Sequence, residues 1–493
     1  MTLKASRLTD LVSSSRAIYL RRNMNRKFRY VSFILCIILL LCACGKDTPP
    51  SSDSPSNKRE RATATPTNTP EPTSAPTEVP TPVPNTPTPT AVPAPAPNTP
   101  SELYECILTG LKNHDATVLN EYLSEDLEAT CGEDTIGQFF LDLLNTYGDL
   151  KRSETKPESD PDGEPAYFCS ILELEHAYAL FQLTVTDMRI IGASATVQFK
   201  NSFDLSLGNG ITESYFSLSS HGYELNAVYT HPEGQCNAAV LLIPGSGPSD
   251  HNEAIGFIAP FRDIAIGLAN QGISSLRVEK RTNRFGSEYT DTCTIQNEYI
   301  EDYTAALEWL QNTANPEKLF LLGHSLGAQI APVIAESNPV DGLILFNGTA
   351  RHFADVLYDQ YLARDYANAA GYKQLTDIAK AATPDNLTGQ FCYGASDMYW
   401  ADYNTISVVD SLNRLQLPTL IINSTTDGQL FDSDIDFWKD TVADKDYVSF
   451  RVFDDINHYG YHGSLSDLRI IYTVSPMPDE LLTCFGDFIH EVR

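Results

Sequence analysis

The distribution of proline restricts most strongly how this chain of 493 residues can fold. Sixteen of its 30 prolines lie between Pro49 and Pro100, and residues 65–90 read TPTNTPEPTSAPTEVPTPVPNTPTPT. Proline fixes φ and has no backbone N–H, so neither a helix nor a sheet can form from such a segment. We expect residues 44–100 to be an extended polyproline II spacer. The folded part should therefore begin near residue 101.

The residues before this spacer predict an export signal. Three basic residues precede an apolar run of 13 residues over 31–43, which is shorter than the about 20 residues that cross a membrane. Such a run is typical of a secretory signal peptide. It ends in LCACG (41–45), which resembles a bacterial lipobox and implies lipidation of Cys44 after removal of residues 1–43, with Met24 as an alternative start. We expect an extracytoplasmic lipoprotein anchored to the membrane, with an uncleaved signal anchor as the alternative.

The charge of the chain argues against a nucleic-acid partner, and its cysteine pattern argues against a structural zinc site or a disulfide framework. The formal net charge is −30, and residues 44–493 carry 26 basic and 63 acidic side chains. Such an acidic surface repels phosphate backbones, so nucleic acid is not an expected partner. Seven cysteines beyond residue 44 form no CxxC pair, which argues against a zinc ribbon and against a disulfide framework. No metal or cofactor is implied.

Residues 101–205 show the order of a small α+β domain. Apolar residues recur at helical spacing over 103–111 and 139–144, and strand-like runs follow at 166–174, 178–187 and 195–200. Helices followed by antiparallel strands are typical of this class. Together with the phrase YGDLKR (147–152), the segment resembles the small cystatin- or NTF2-like domain of unknown function that precedes esterase-like domains in exported bacterial proteins.

From about residue 213 to residue 493, strand-like and helical stretches alternate. Several of the strand-like runs are continuously apolar, as strands buried on both faces are. The runs cover residues 238–243, 273–278, 318–323, 342–346, 418–423 and 447–453. Alternation of this kind predicts βαβ crossovers and a mostly parallel sheet.

One turn in this region carries a nucleophile signature. The run 318–323 leads directly into GHSLG (323–327), and a helical stretch follows. G-x-S-x-G between a buried strand and a helix is the nucleophile elbow of the α/β-hydrolase fold, in which a tight, strained turn exposes the serine hydroxyl. We therefore predict an α/β-hydrolase fold with Ser325 as its nucleophile.

A serine hydroxyl needs a base to take its proton, and in this fold the acid and then the histidine follow the serine along the chain. Asp427 lies just past the run 418–423, and His458 follows the run 447–453. Ligands and catalytic groups gather at such strand ends, so we predict Asp427 as the orienting acid and His458 as the base. The competing candidates are His462 for the base and Asp454 and Asp455 for the acid.

The developing oxyanion also needs hydrogen-bond donors. In this fold one donor is the N–H that follows the nucleophile, here Leu326. The second should come from the loop PGSGP (244–248) after the run 238–243. We predict the N–H of Ser246, because the flanking glycines let the backbone approach a substrate closely.

Longer strings carry a family resemblance. GSGPSDHNEAIG (245–256), PFRDIAIGLANQGISSLRVEKRT (260–282), YWADY (399–403) and TTDGQL (425–430) resemble the EstD-like carboxylesterases, near the dienelactone-hydrolase and serine-peptidase branches. Position by position, the resemblance implies Ser325, Asp427 and His458 as the triad. The chain departs from that pattern at three places: Pro244 stands where His is usual, RVEKR (277–281) stands in place of RYDKR, and Ser424 stands where Gly is usual.

Two further groups of residues have two open interpretations. Residues 347–415 should form a helical cap, and its aromatic side chains either line an acyl pocket or only pack the cap on the sheet. Arg277, Lys280 and Arg281 either bind an acidic substrate or form structural ion pairs.

The sequence therefore predicts an extracytoplasmic serine hydrolase that cleaves a small-molecule carboxylic ester through an acyl-enzyme. Within enzymes, the alternative is a serine peptidase or acyl transferase with the same triad. From another class, the alternative is a non-catalytic binding lipoprotein on a decayed hydrolase scaffold.

Overall fold

The computed structural model describes residues 96–132, 134–234, 236–289, 292–466, 468–473 and 475–492. The expected signal peptide, the expected lipidation site Cys44 and most of the proline-rich spacer lie outside the described residues. Within the described residues, no helix combines the length and the apolar character that a membrane span requires.

The first unit consists of helices followed by a four-stranded antiparallel sheet in the order β1-β2-β3-β4. Its elements are α1 (Pro100–Lys112), α2 (Thr117–Glu121), α3 (Glu125–Cys131), α4 (Thr135–Tyr147), β1 (Arg152–Thr155), β2 (Ala166–Glu173), β3 (Ala177–Thr186) and β4 (Arg189–Phe199). Helix α1 begins where the Thr99 side chain accepts a hydrogen bond from the Glu102 N–H, with Pro100 at the first helical position, as helix starts prefer. Every second residue of β3 is buried, so one face of this sheet packs on the helices.

The second unit is built on a nine-stranded sheet. Its strands are β5 (Phe203–Gly208), β6 (Ile211–Ser220), β7 (Tyr223–Pro232), β8 (Ala238–Ile243), β9 (Ser274–Val278), β10 (Lys318–His324), β11 (Gly342–Phe346), β14 (Thr419–Ser424) and β15 (Val448–Phe453). They lie in the order β15-β14-β11-β10-β8-β9-β7-β6-β5. Six neighbouring strands of the sheet are mutually parallel: β15, β14, β11, β10, β8 and β9. The other three, β7, β6 and β5, extend the sheet beyond β9 in antiparallel fashion.

Helices cover both faces of this sheet, as an α/β fold requires. They are α5 (Pro260–Ala269), α6 (Arg281–Tyr289), α7 (Glu301–Ala314), α8 (Leu326–Ala335), α13 (Asp432–Val442) and α14 (Asp479–Glu491), with a π-helical turn over Gln296–Ile300 before α7. All six side chains of β8 are buried. Leu241 belongs to the apolar core on one face and Leu242 to the core on the other, which explains why such strands read as continuous apolar runs. The predicted α/β-hydrolase fold class is confirmed.

The segment between β11 and β14 is a mainly helical insertion. It contains α9 (Phe353–Arg364), α10 (Ala369–Ala381), the short hairpin β12 (Phe391–Cys392) and β13 (Ala395–Ser396), α11 (Asp397–Tyr403) and α12 (Val408–Leu415). Trp400 is buried, and its indole N–H donates to the Cys392 carbonyl at 2.9 Å. Tyr399 is buried beside it, whereas Tyr366 is 80% exposed. For Trp400 and Tyr399, packing of the insertion on the core is therefore the role that the structure shows.

The antiparallel strands β5, β6 and β7 were not anticipated from the sequence. Their burial alternates or is incomplete, and every second residue of β5 is exposed, so they lack the continuous apolar runs that reveal the parallel strands. Tyr215 on β6 and Val228 on β7 contribute to the apolar core of the first unit. These strands therefore contribute to the contact between the two units, together with Phe257 and Tyr472, which pack against the same core.

Asn226 on β7 is the polar link across this contact. Its side-chain oxygen accepts from the Phe199 N–H at 3.1 Å, and its side-chain nitrogen donates to the Val197 carbonyl at 2.9 Å. Its backbone N–H donates to Glu279 at 2.7 Å. Burial raises the pKa of the Glu279 carboxyl to about 7, although the charge of Arg284 and the hydrogen bond from the Asn226 N–H oppose the increase.

We predict that Asn226→Ala lowers the free energy of unfolding by about 2–3 kcal/mol, because the buried Phe199 N–H and the partly buried Val197 carbonyl of β4 lose their hydrogen bonds to Asn226. Urea titration followed by circular dichroism measures the change. Asn201→Ala, which alters an exposed asparagine near the same contact, is the control. An equal effect of the two substitutions would contradict the prediction.

Candidate active site

Ser325 lies between the central strand β10 and helix α8, in a backbone conformation that residues other than glycine rarely adopt. Its φ is 55° and its ψ is −119°. Neither flanking position has room for a side chain. A Cβ on Gly323 would lie 2.1 Å from the Gly327 carbonyl oxygen, and a Cβ on Gly327 would lie 2.2 Å from the Ile243 carbonyl oxygen. The strain is thus imposed by packed backbone, and it leaves the serine half-buried at the carboxyl end of the sheet.

Asp427 and His458 meet at the same end of the sheet. Asp427 follows β14 and His458 follows the neighbouring strand β15, and the imidazole Nδ1 lies 2.9 and 2.8 Å from the two carboxylate oxygens. Both residues are buried. Because an ionised carboxylate only accepts, Nδ1 carries the proton and Nε2 is left as the basic nitrogen.

The Asp427 carboxylate is itself held in place. One of its oxygens accepts the backbone N–H groups of Gln429 and Leu430 at 2.8 and 2.7 Å, and the His458 N–H donates to the Asp427 carbonyl at 2.8 Å. Among the described residues no hydrogen bond joins the Ser325 hydroxyl to His458. Such bonds are often long in unliganded enzymes.

The competing candidates lie elsewhere. His462 is exposed, and its Nδ1 lies 3.0 Å from the Asp455 carbonyl oxygen and 3.3 Å from the Asp455 carboxylate. Asp454 is exposed and accepts from the Thr425 hydroxyl at 3.4 Å. Neither aspartate contacts the His458 ring, so the structure brings only Asp427 to His458.

The two predicted oxyanion donors belong to the residue after Ser325 and to the loop after β8. Leu326 is the first residue of α8, and an N–H at that position has no partner within its helix. Ser246 is exposed in the loop after β8, and its N–H makes no hydrogen bond in the described part of the chain. The preceding residue, Gly245, contacts the serine, because a Cβ there would lie 2.9 Å from the Ser325 Cβ.

A buried histidine and glutamate connect these loops, and sequence reasoning did not identify either residue. Glu253 accepts the Gly245 N–H at 2.6 Å and contacts His324 Nδ1 at 2.8 Å, while His324 Nε2 lies 2.8 Å from the His458 carbonyl oxygen. The available signals were the place of His324 immediately before the nucleophile and the place of Glu253 in the string 245–256.

Both ring nitrogens of His324 face oxygen acceptors, so the geometry favours the doubly protonated imidazolium. Burial lowers the pKa of His324, but the charge and hydrogen bond of Glu253 outweigh it, with smaller contributions from the His458 carbonyl and Asp427, so that the net shift is upward. One buried ion pair therefore joins the turn at Ser325, the loop that contains Gly245 and the loop that contains His458.

The three basic residues of RVEKR (277–281) are buried, and each pairs with a buried carboxylate. Arg277 is buried and pairs with buried Glu213 and with Asn252, and Arg281 pairs with buried Asp302. Burial would raise the pKa of the Glu213 carboxyl, but Arg277 and Arg262 hold it at about 2. These side chains are not available to an acidic substrate. Within the residues that the structure describes, no cluster of three or more His, Cys, Asp or Glu side chains could hold a metal ion.

We predict that His324 contributes stability in a pH-dependent way. Its folded-state pKa is raised above its usual value of about 6.5, so the ion pair stabilises the fold fully below that pH and loses this effect as the pH rises through the folded-state pKa. The difference in unfolding free energy between the wild type and His324→Gln should shrink from about pH 6 to about pH 9 in urea titrations. The control is the same exchange at His490, which is exposed on α14. A difference that stays constant or grows with pH would contradict the prediction.

No family model matches the chain. The sequence is 34% identical to Esterase EstD from Thermotoga maritima over 236 residues, which is 48% of this chain and 57% of that protein. The match thus spans little more than half the length of the curated relative.

Among solved structures, Est1E from Butyrivibrio proteoclasticus is 15% identical, with a TM-score of 0.39 over 56% of this chain and 98% of that one. Dienelactone hydrolase from Anabaena variabilis is 15% identical, with a TM-score of 0.37 over 58% of this chain and all of that one. The order of the strands in the sheet and the strained turn at Ser325 identify the fold, independently of these structural similarities. The second unit has an α/β-hydrolase fold, and the chain is similar in sequence to an esterase over 236 residues.

Proposed function

We propose that the chain is a serine hydrolase that cleaves carboxylic esters, with Ser325 as nucleophile, His458 as general base and Asp427 as the acid that orients it. The observation that carries the proposal is the buried Asp427–His458 contact of 2.8 Å, at the sheet end where the strained turn presents Ser325. Similarity to Esterase EstD supports esters as the substrate class.

The residues have distinct tasks in the reaction. Ser325 Oγ attacks the ester carbonyl carbon while His458 Nε2 takes the hydroxyl proton, and the resulting oxyanion accepts the N–H groups of Ser246 and Leu326. His458 then gives the proton to the leaving alcohol, and an acyl-enzyme on Ser325 remains. Water activated by the same histidine hydrolyses the acyl-enzyme and releases the carboxylic acid.

Asp427 acts through the histidine. Its carboxylate keeps the proton on Nδ1, so that Nε2 faces the serine as an acceptor, and it stabilises the imidazolium that forms after proton transfer. The backbone N–H groups of Gln429 and Leu430 hold this carboxylate in position. An intact, buried acid–histidine pair of this kind favours an enzyme over a decayed binding scaffold.

We predict that Ser325→Ala reduces kcat for short p-nitrophenyl esters by about 10⁴-fold or more, because no other group replaces the nucleophile. Fluorophosphonate should label the wild type at Ser325 and leave the variant unlabelled. Ser337→Ala, at an exposed position just beyond α8, is the matched control and should retain activity. Full activity in Ser325→Ala would refute the assignment.

We further propose that the enzyme is a membrane-anchored, extracytoplasmic lipoprotein. The support is the basic and apolar sequence before Cys44, the resemblance of LCACG to a lipobox, and the proline-rich spacer that follows. A spacer of this composition, at about 3.1 Å per residue, would hold the hydrolase away from the membrane surface.

Lipidation can be tested in cells that express the full chain. With an alkyne-bearing fatty acid as the metabolic label, we expect the wild type to incorporate the label and Cys44→Ser to lose it. Cys42→Ser, two residues away in the same segment, should still be labelled. Equal labelling of Cys44→Ser and the wild type, or no labelling of either, would contradict the anchor.

A further inference from the structure

A buried lysine lies beneath the loop that follows β8. Lys280 is fully buried, and its ammonium donates to the carbonyls of Gly245 and Gly247 at 3.2 and 2.8 Å and to the Tyr299 hydroxyl at 2.7 Å. These contacts use all three of its N–H donors. The carboxylate of Glu298, 3.2 Å away and also buried, balances the charge.

A buried charge is costly to keep in a protein unless it is paired and hydrogen-bonded. Here the pairing is directed at one short stretch of backbone, since two of the three donors of Lys280 go to the loop 245–247. The Tyr299 hydroxyl, which accepts from Lys280, donates in turn to the Gly245 carbonyl. The same carbonyl is therefore held twice.

Gly245 is held on its other side as well. Its N–H donates to the Glu253 carboxylate at 2.6 Å, whereas its carbonyl accepts from the Lys280 ammonium. Both backbone polar groups of Gly245 are therefore bound by charged side chains. Gly245 also lies against Ser325, and a Cβ there would come within 3.4 Å of the serine Oγ. The loop is thus clamped at the residue that touches the nucleophile.

The orientation of one carbonyl decides the orientation of the next N–H. The peptide bond between Gly245 and Ser246 is trans, so its C=O and N–H lie in one plane and point to opposite sides. Because the Gly245 carbonyl points at Lys280, the Ser246 N–H points away from Lys280, on the exposed side of the loop.

We propose that Lys280 is a positioning residue of the oxyanion hole: by holding the Gly245 and Gly247 carbonyls it directs the Ser246 N–H toward the oxyanion that forms on the substrate. The inference rests on the proposed function. Lys280 does not touch the substrate; it acts through the backbone of the loop, with Tyr299 as its partner. Without the ammonium, the peptide plane can rotate and the donor is no longer preorganised.

The test compares Lys280→Met, which keeps the apolar stem and removes the charge, with the wild type. For p-nitrophenyl esters we expect kcat to fall about 10- to 100-fold, below the cost of deleting one oxyanion donor outright, with KM within about twofold. An aryl trifluoromethyl ketone forms a tetrahedral oxyanion adduct with an active serine, and its affinity should fall by the same factor as kcat/KM. Lys200→Met, which removes a lysine paired with Glu173 in the first unit, is the matched control and should change neither value.

Tyr299→Phe is the second variant, because it removes one hydroxyl and keeps the ammonium. It should lower kcat and ketone affinity together by a smaller factor, and it carries the test if Lys280→Met does not fold by circular dichroism. Unchanged kcat in a folded variant, or a loss of kcat without a matching loss of ketone affinity, would overturn the positioning role. A wild type that neither hydrolyses esters nor reacts with fluorophosphonate would instead refute the proposed function.

Discussion

The packing of the backbone around Ser325 is the constraint on which the rest of the site depends. Gly323 and Gly327 have no room for a side chain, because the turn folds on itself and presses against the end of β8 at the Ile243 carbonyl. The loop after β8 must therefore start beside the serine, which places Gly245 in contact with it. One steric requirement thus brings Ser325 and the loop of the proposed oxyanion donor together before any polar contact is considered.

Buried charges then hold the loops that this packing assembles. Glu253 holds the Gly245 N–H and pairs with His324, and His324 contacts the His458 carbonyl, while Lys280 holds the Gly245 carbonyl from the other side. Each charge has an opposite partner and hydrogen bonds, as the low dielectric of the interior demands. The same interactions that make the charges tolerable also fix the backbone groups that the proposed reaction requires.

Sequence reasoning succeeded where the signal is local. The parallel strands are buried on both faces and appear as apolar runs, and the nucleophile turn combines such a run with two glycines and a helix. It failed for β5, β6 and β7, whose partial exposure removes the apolar signal. It also missed the pair of Glu253 and His324, because the two residues lie 71 positions apart and only their places beside predicted site segments pointed to them.

The sequence alone determined the tight turn at Ser325 and the places of Asp427 and His458 after buried or edge strands, because these depend on short-range sterics and on the strands that precede them. Only the tertiary structure decided that Asp427, and neither Asp454 nor Asp455, contacts His458, and that the basic residues of RVEKR are buried. The physical reason is that pairing and burial depend on residues far apart in the chain: Glu213 lies 64 positions from Arg277, which it neutralises. No local pattern encodes such a contact.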